Sequence, residues 1–81
     1  MSICEKFEYS RHCEDRLKER QIQKEYIRSA FRSGCSCAKL GDGSYKNFST
    51  LRGRTLIVIV KVIKDKRCFV LTAYWGAASL N

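Results

Sequence analysis

At 81 residues the chain has room for one domain spanning residues 1–81 and one modest core, and no second module fits beside it. Sixteen Lys and Arg against eight Asp and Glu leave a formal charge of +8, which favours a polyanion or an acidic protein as partner over a neutral metabolite. The chain begins with Met1, lacks the basic-then-apolar opening of a secretory signal and has no apolar run near the length of a membrane span, so a soluble, cytoplasmic protein with no membrane partner is expected.

Five cysteines, Cys4, Cys13, Cys35, Cys37 and Cys68, are odd in number and lack Cys-x-x-Cys spacing. Zinc would need more ligands than these offer, and His12 is the sole histidine, so no metal and no cofactor are expected. Reduced, mostly buried thiols are the leading expectation, with a disulfide as the lesser alternative.

Residues 1–9 form a lead-in in which Ile3, Phe7 and Tyr9 alternate loosely, consistent with a short extended segment or a tail packed on the body. Ser10 is a suitable N-cap for a first helix that ends at Arg20, with Glu14 and Asp15 near its positive end. Gln21, Ile22 and Gln23 break the helix, and Ile22 with Ile27 occupies the positions of a hydrophobic staple. The second helix is expected over residues 24–33, with Tyr26, Ile27, Ala30 and Phe31 on its buried face, Arg28 and Arg32 outside, and Gly34 as the stop.

From there the period becomes that of strands. Residues 35–40 are a short strand candidate, and Gly41, Asp42 and Gly43 mark a turn. Over residues 44–51, Tyr45, Asn47, Ser49 and Leu51 share one side and Lys46, Phe48 and Thr50 the other. Arg52, Gly53 and Arg54 turn into residues 55–63, the strongest strand, which is rich in β-branched residues. It is either covered on both sides, or covered on one and used for association on the other. Lys64, Asp65 and Lys66 turn again, and residues 68–75 return beside it. The expected fold class is α+β: two N-terminal helices packed on one face of an antiparallel sheet of about four strands.

On the first helix His12, Arg16 and Arg20 recur every fourth residue and line one stripe, while Cys13 and Leu17 form the apolar stripe beside it. The run Tyr9-Ser10-Arg11-His12-Cys13-Glu14-Asp15-Arg16-Leu17-Lys18-Glu19-Arg20-Gln21-Ile22 resembles the opening of a branch of small RelE-like domains of unknown function that carry a His-Ala-x-x-Arg helix and an Arg-Gly-Ile. Asp42-Gly43-Ser44-Tyr45, Gly53-Arg54-Thr55-Leu56-Ile57-Val58-Ile59-Val60 and Val70-Leu71-Thr72-Ala73-Tyr74-Trp75 resemble the strands of that branch in order and spacing. The similarity covers about residues 7–75, with Cys13 in place of the usual Ala and Gln21 in place of the usual Gly. Membership of the RelE and ParE toxin superfamily, which is grouped with barnase-like and colicin-like nucleases, implies two helices followed by an antiparallel sheet. It also implies a metal-independent endoribonuclease acting on single-stranded RNA, often the toxin of a pair with an antitoxin, here expected to be acidic.

Metal-free RNA cleavage needs a base for the 2′-hydroxyl, an acid for the leaving 5′-oxygen, and cations for the charge that builds on phosphorus-bound oxygens. His12 is the candidate base or acid because an unperturbed imidazole titrates near neutrality. Arg16, Lys46 and Arg54 are candidate phosphate clamps, and Tyr74 is a candidate proton donor or positioning group. Arg11, Arg20, Tyr45, Arg52 and Thr72 are the expected contacts to the nucleic acid. Each has a plainer alternative: a capping histidine, a solvated helix face paired with Asp15 or Glu19, and exposed turn arginines that discourage edge pairing. Of Tyr74 and Trp75, which point to opposite faces, Trp75 is expected in the core. The competing functions are a non-catalytic RNA-binding or protein-inhibiting module of the same fold, and a homodimer formed through the apolar sheet.

Overall fold

The computed structural model describes residues 4–32 and 36–76. In chain order they form β1 (Lys6–Tyr9), α1 (Arg11–Glu19), α2 (Lys24–Arg32), β2 (Ser36–Lys39), β3 (Tyr45–Leu51), β4 (Arg54–Lys64) and β5 (Arg67–Gly76).

Helix α1 starts where its cap dictates: the Ser10 hydroxyl oxygen accepts the Cys13 backbone N–H at 3.0 Å. It stops because Gln21 takes a left-handed conformation, φ 57°. Ile22 N–H then donates to the Leu17 carbonyl at 2.9 Å and Gln21 N–H to the Lys18 carbonyl at 3.2 Å, the paired bonds of a Schellman stop. Leu17 and Ile22, which flank this stop, are both buried. The same Ile22 belongs to the core with Ile27 of α2, in keeping with a staple across the start of that helix. A Lys24–Glu14 ion pair at 2.7 Å ties the two helices on the outside. The expected stop at Gly34 and the expected strand start at Cys35 lie outside the described residues.

The sheet has five strands in the order β1-β5-β4-β3-β2. This corrects the expectation of about four antiparallel strands: β1 adds a fifth at the edge and runs parallel to β5. The lead-in is therefore a strand from Lys6, pinned by Glu5 and Lys6 N–H donating to the Lys66 carbonyl, by an Arg67–Glu8 ion pair and by Lys66–Glu5 at 3.2 Å. Both tight hairpins close with two residues of positive φ, Arg52 and Gly53 between β3 and β4, and Asp65 and Lys66 between β4 and β5. That backbone matches the twist of the flanking strands.

A second correction concerns the thiols: Cys4 and Cys68 form a disulfide across 64 positions of sequence. Cys13 is a buried thiol outside that bond, and the exposed Cys37 accepts a contact from Asn47 Nδ2 at 3.5 Å. The leading expectation failed because the bond is set by β1 lying beside β5, a parallel pairing that cysteine spacing does not reveal.

The core lies between the helices and one face of the sheet. Cys13, Leu17, Ile22, Ile27, Ala30 and Phe31 pack with Leu56, Val58, Val60, Cys68, Val70 and Ala73 in one cluster. Full burial of each larger aliphatic side chain here contributes about 1.5–3 kcal/mol. Because strand side chains alternate, the partners of these residues point the other way. The register sets Phe48, Ile57 and Tyr74 side by side on that outer face, Lys46, Ile59 and Thr72 in the next row, and Lys61 beside Phe69 beyond it. Among the described residues the helices therefore cover one side of strand β4.

Candidate functional site

The helix stripe is present, and its members differ in what they do. His12 is exposed and has no hydrogen bond or ion pair among the described residues. Arg16, one turn on, is exposed and reaches Glu19 at 3.7 Å, a weak pair on a solvated face. Arg11, beside His12, is exposed as well.

Arg20 is committed to the scaffold. Its Nη1 donates to the Ala73 carbonyl at 2.8 Å and to Thr72 Oγ1 at 3.3 Å, so the guanidinium caps backbone of β5 that short β1 does not reach. The Arg20 carbonyl in turn accepts the Trp75 Nε1 proton at 2.8 Å. This interlock fixes the end of α1 against β5 and so fixes the orientation of the whole stripe.

Trp75 packs against the core, as its phase implies, and forms a second junction. The Arg54 guanidinium lies over its ring at 4.0 Å, and the Tyr26 ring stands 6.4 Å away. This contact places the Arg54 guanidinium over an aromatic face at the start of β4, where it forms no ion pair among the described residues. Arg52, at the adjoining turn, is exposed.

Lys46, Thr72 and Tyr74 fall on the outer sheet face. Lys46 Nζ sits 5.4 Å from the centre of the Phe48 ring, and Phe48 is 38% exposed, which leaves an aromatic surface with a cation beside it. Tyr45 faces the other way and packs against the core. The ten candidates therefore divide among the helix stripe, the Arg54–Trp75 corner, the outer face and the core side; among the described residues the one side-chain hydrogen bond between two of them joins Arg20 and Thr72. Phe48, Phe69 and Lys61, not singled out as binding residues, share the outer face; the alternation of residues 44–51 had already placed Phe48 with Lys46.

Two acid–base features flank the stripe. Hydrogen bonding to Lys24 holds the Glu14 carboxyl below its usual range. Burial pushes the Tyr9 phenol from 10.0 up to about 12, against a smaller opposing pull from Arg28. Among the described residues no three His, Cys, Asp or Glu side chains are grouped to hold a metal ion. No helix there is long and apolar enough to cross a membrane.

An α+β domain whose first helix, displaying His12 and Arg16, is tied to β5 of a mixed sheet is what these elements define. The chain matches a family described as a domain of unknown function, DUF4258, over residues 9–75, and it belongs to that family. Comparison with curated proteins and with solved structures returned no match.

Proposed function

We propose that this domain is a metal-independent endoribonuclease of the RelE/ParE-like kind, cutting single-stranded RNA in the cytoplasm as the toxin of a pair whose antitoxin is an acidic protein. The observation that carries the reading is an exposed His12 imidazole one helical turn from the exposed Arg16 guanidinium, on a chain of net charge +8. In this reading His12 takes the proton of a 2′-hydroxyl. The new oxygen–phosphorus bond forms as the bond to the 5′-oxygen breaks, leaving a cyclic phosphate and a 5′-hydroxyl once that oxygen gains a proton. Arg16 matches two phosphate oxygens with its planar fork, with Arg54, Lys46 and Tyr74 as further contacts along the RNA.

A second reading has a specific observation in its favour. Lys46, Thr72 and Tyr74 lie on the outer sheet face beside exposed Phe48, while His12 lies on a helix packed against the other face. That separation suits a module that binds RNA, blocks a protein, or pairs with a second copy through the sheet, without cleavage.

The test is incubation of purified protein with single-stranded RNA in excess chelator, followed by a denaturing gel. Cleavage is expected, and His12→Ala should lower it by about 100-fold or more while the protein keeps its thermal transition. Undiminished cleavage by that variant removes His12 from the mechanism. A salt-sensitive mobility shift with no product selects the binding module.

A further inference from the structure

A cavity of about 340 Å³ opens between the start of β1 and the outer side of α2, lined by Cys4, Glu5, Phe7, Arg28 and Arg32. Phe7 gives it an apolar wall, its ring resting 5.4 Å from that of Phe31. Arg28 and Arg32 stand one turn apart, both exposed, and neither forms an ion pair among the described residues. The cavity's carboxylate, Glu5, is engaged by Lys66 at 3.2 Å. Two uncommitted guanidiniums against one engaged carboxylate give this opening a positive field. The Cys4–Cys68 disulfide meets this opening at Cys4, which lines it while only 3% exposed, whereas Cys68 is fully enclosed.

We propose that this cavity receives a small thiol bearing carboxylates and directs it onto Sγ of Cys4. Its volume suits a ligand the size of a short peptide, and the arginine pair supplies the charge complement for the carboxylates and for the attacking thiolate. Attack on Cys4 Sγ forms a mixed disulfide there, breaks the bond to Cys68 and leaves Cys68 as a thiolate that takes a proton from solvent. A second thiol attacks the mixed disulfide, freeing Cys4 as thiol and leaving with the first as their own disulfide. Two external thiols are thus oxidised as one protein disulfide is reduced. This inference is independent of the RNA reading, since none of the cavity residues belongs to the proposed cleavage site.

Glutathione is the anionic probe and cysteamine, which carries a positive charge, the control. Oxidised full-length protein is treated with each at matched thiolate concentration, quenched with acid, alkylated, and mapped by mass at the peptides holding Cys4 and Cys68. Glutathione should react faster than cysteamine, with the first adduct on Cys4. The Arg28→Ala/Arg32→Ala double variant should lose about tenfold in rate with glutathione and none with cysteamine, and the corresponding double Lys variant should restore most of the loss. Equal slowing with both probes, an unchanged ratio of the two rates, or a first adduct on Cys68 would overturn the proposal. So would protein with no Cys4–Cys68 bond after exposure to oxidised glutathione.

Discussion

Tyr9 concentrates several effects in one side chain. Its hydroxyl is buried without a hydrogen-bond partner among the described residues, while Lys24 Nζ sits 4.7 Å from the centre of its ring. With the folded-state value at about 12 and the unfolded value at 10.0, the unfolded chain gives up this proton first. Stability linked to Tyr9 is therefore fully present below pH 10 and declines as the pH climbs from 10 towards 12. Tyr9→Phe should flatten that alkaline decline relative to the parent in urea titrations run at neutral and high pH; equal declines would refute it. At neutral pH the same variant should match the parent or gain about 1 kcal/mol, because it removes a desolvated hydroxyl. At this scale the sequence was informative for side chains governed by period: Ser10 as cap, Trp75 inward, Tyr74 outward. It named Arg20 and Thr72 as contacts to the nucleic acid and gave no sign that they meet each other across 52 positions, through a bond that no local pattern encodes.

Among the elements, the junction of α1 and α2 shows a local rule broken at small cost. A side chain at φ 57° strains the backbone, yet Gln21 occupies the place where glycine would be at ease. Gln21→Gly should raise stability by about 1 kcal/mol and the melting temperature by about 4–8 °C; a lower melting temperature would mean that the Gln21 side chain contributes something the backbone does not show. The other strands and helices were readable because their apolar residues repeat at the spacing their packing demands, as with Cys13 and Leu17 on α1 and Leu56, Val58 and Val60 on β4. Strand β1 was legible only as a short extended segment or a packed tail, because four residues hold too few alternations to declare a period, and its place in the sheet was hidden because its parallel partner lies at the far end of the chain. The irregularity between Ile59 and Val60 was equally hidden. It sets Val60 opposite Val70 after Ile59 opposite Thr72, so Leu71 is left over and stands 41% exposed.

For the molecule as a whole, the Cys4–Cys68 bond counts more than any single contact. Closing a loop across 64 positions restricts the unfolded chain by about 4 kcal/mol in the chain-entropy account. For a domain of this size that is a large share of total stability. Reduction, or Cys4→Ser with Cys68→Ser, should lower the urea midpoint accordingly; an unchanged midpoint would show that the bond constrains little. The candidate site was legible in sequence as a set of residue types, since a histidine and arginines at fourfold spacing can be seen without coordinates. How they divide between a helix stripe and the outer sheet face could not be seen, because that depends on register and on where α1 meets the sheet edge.

The sulfur–sulfur link also decides how the domain would answer a mechanical load. Both helices and strands β1 to β4 lie between the bonded cysteines, so tension applied from Cys4 to Gly76 is borne by a covalent bond and draws out only the residues beyond Cys68. A motor threading the oxidised chain from its N-terminal end would meet two backbones abreast as soon as it reached Cys4. The reduced chain would pass through in single file.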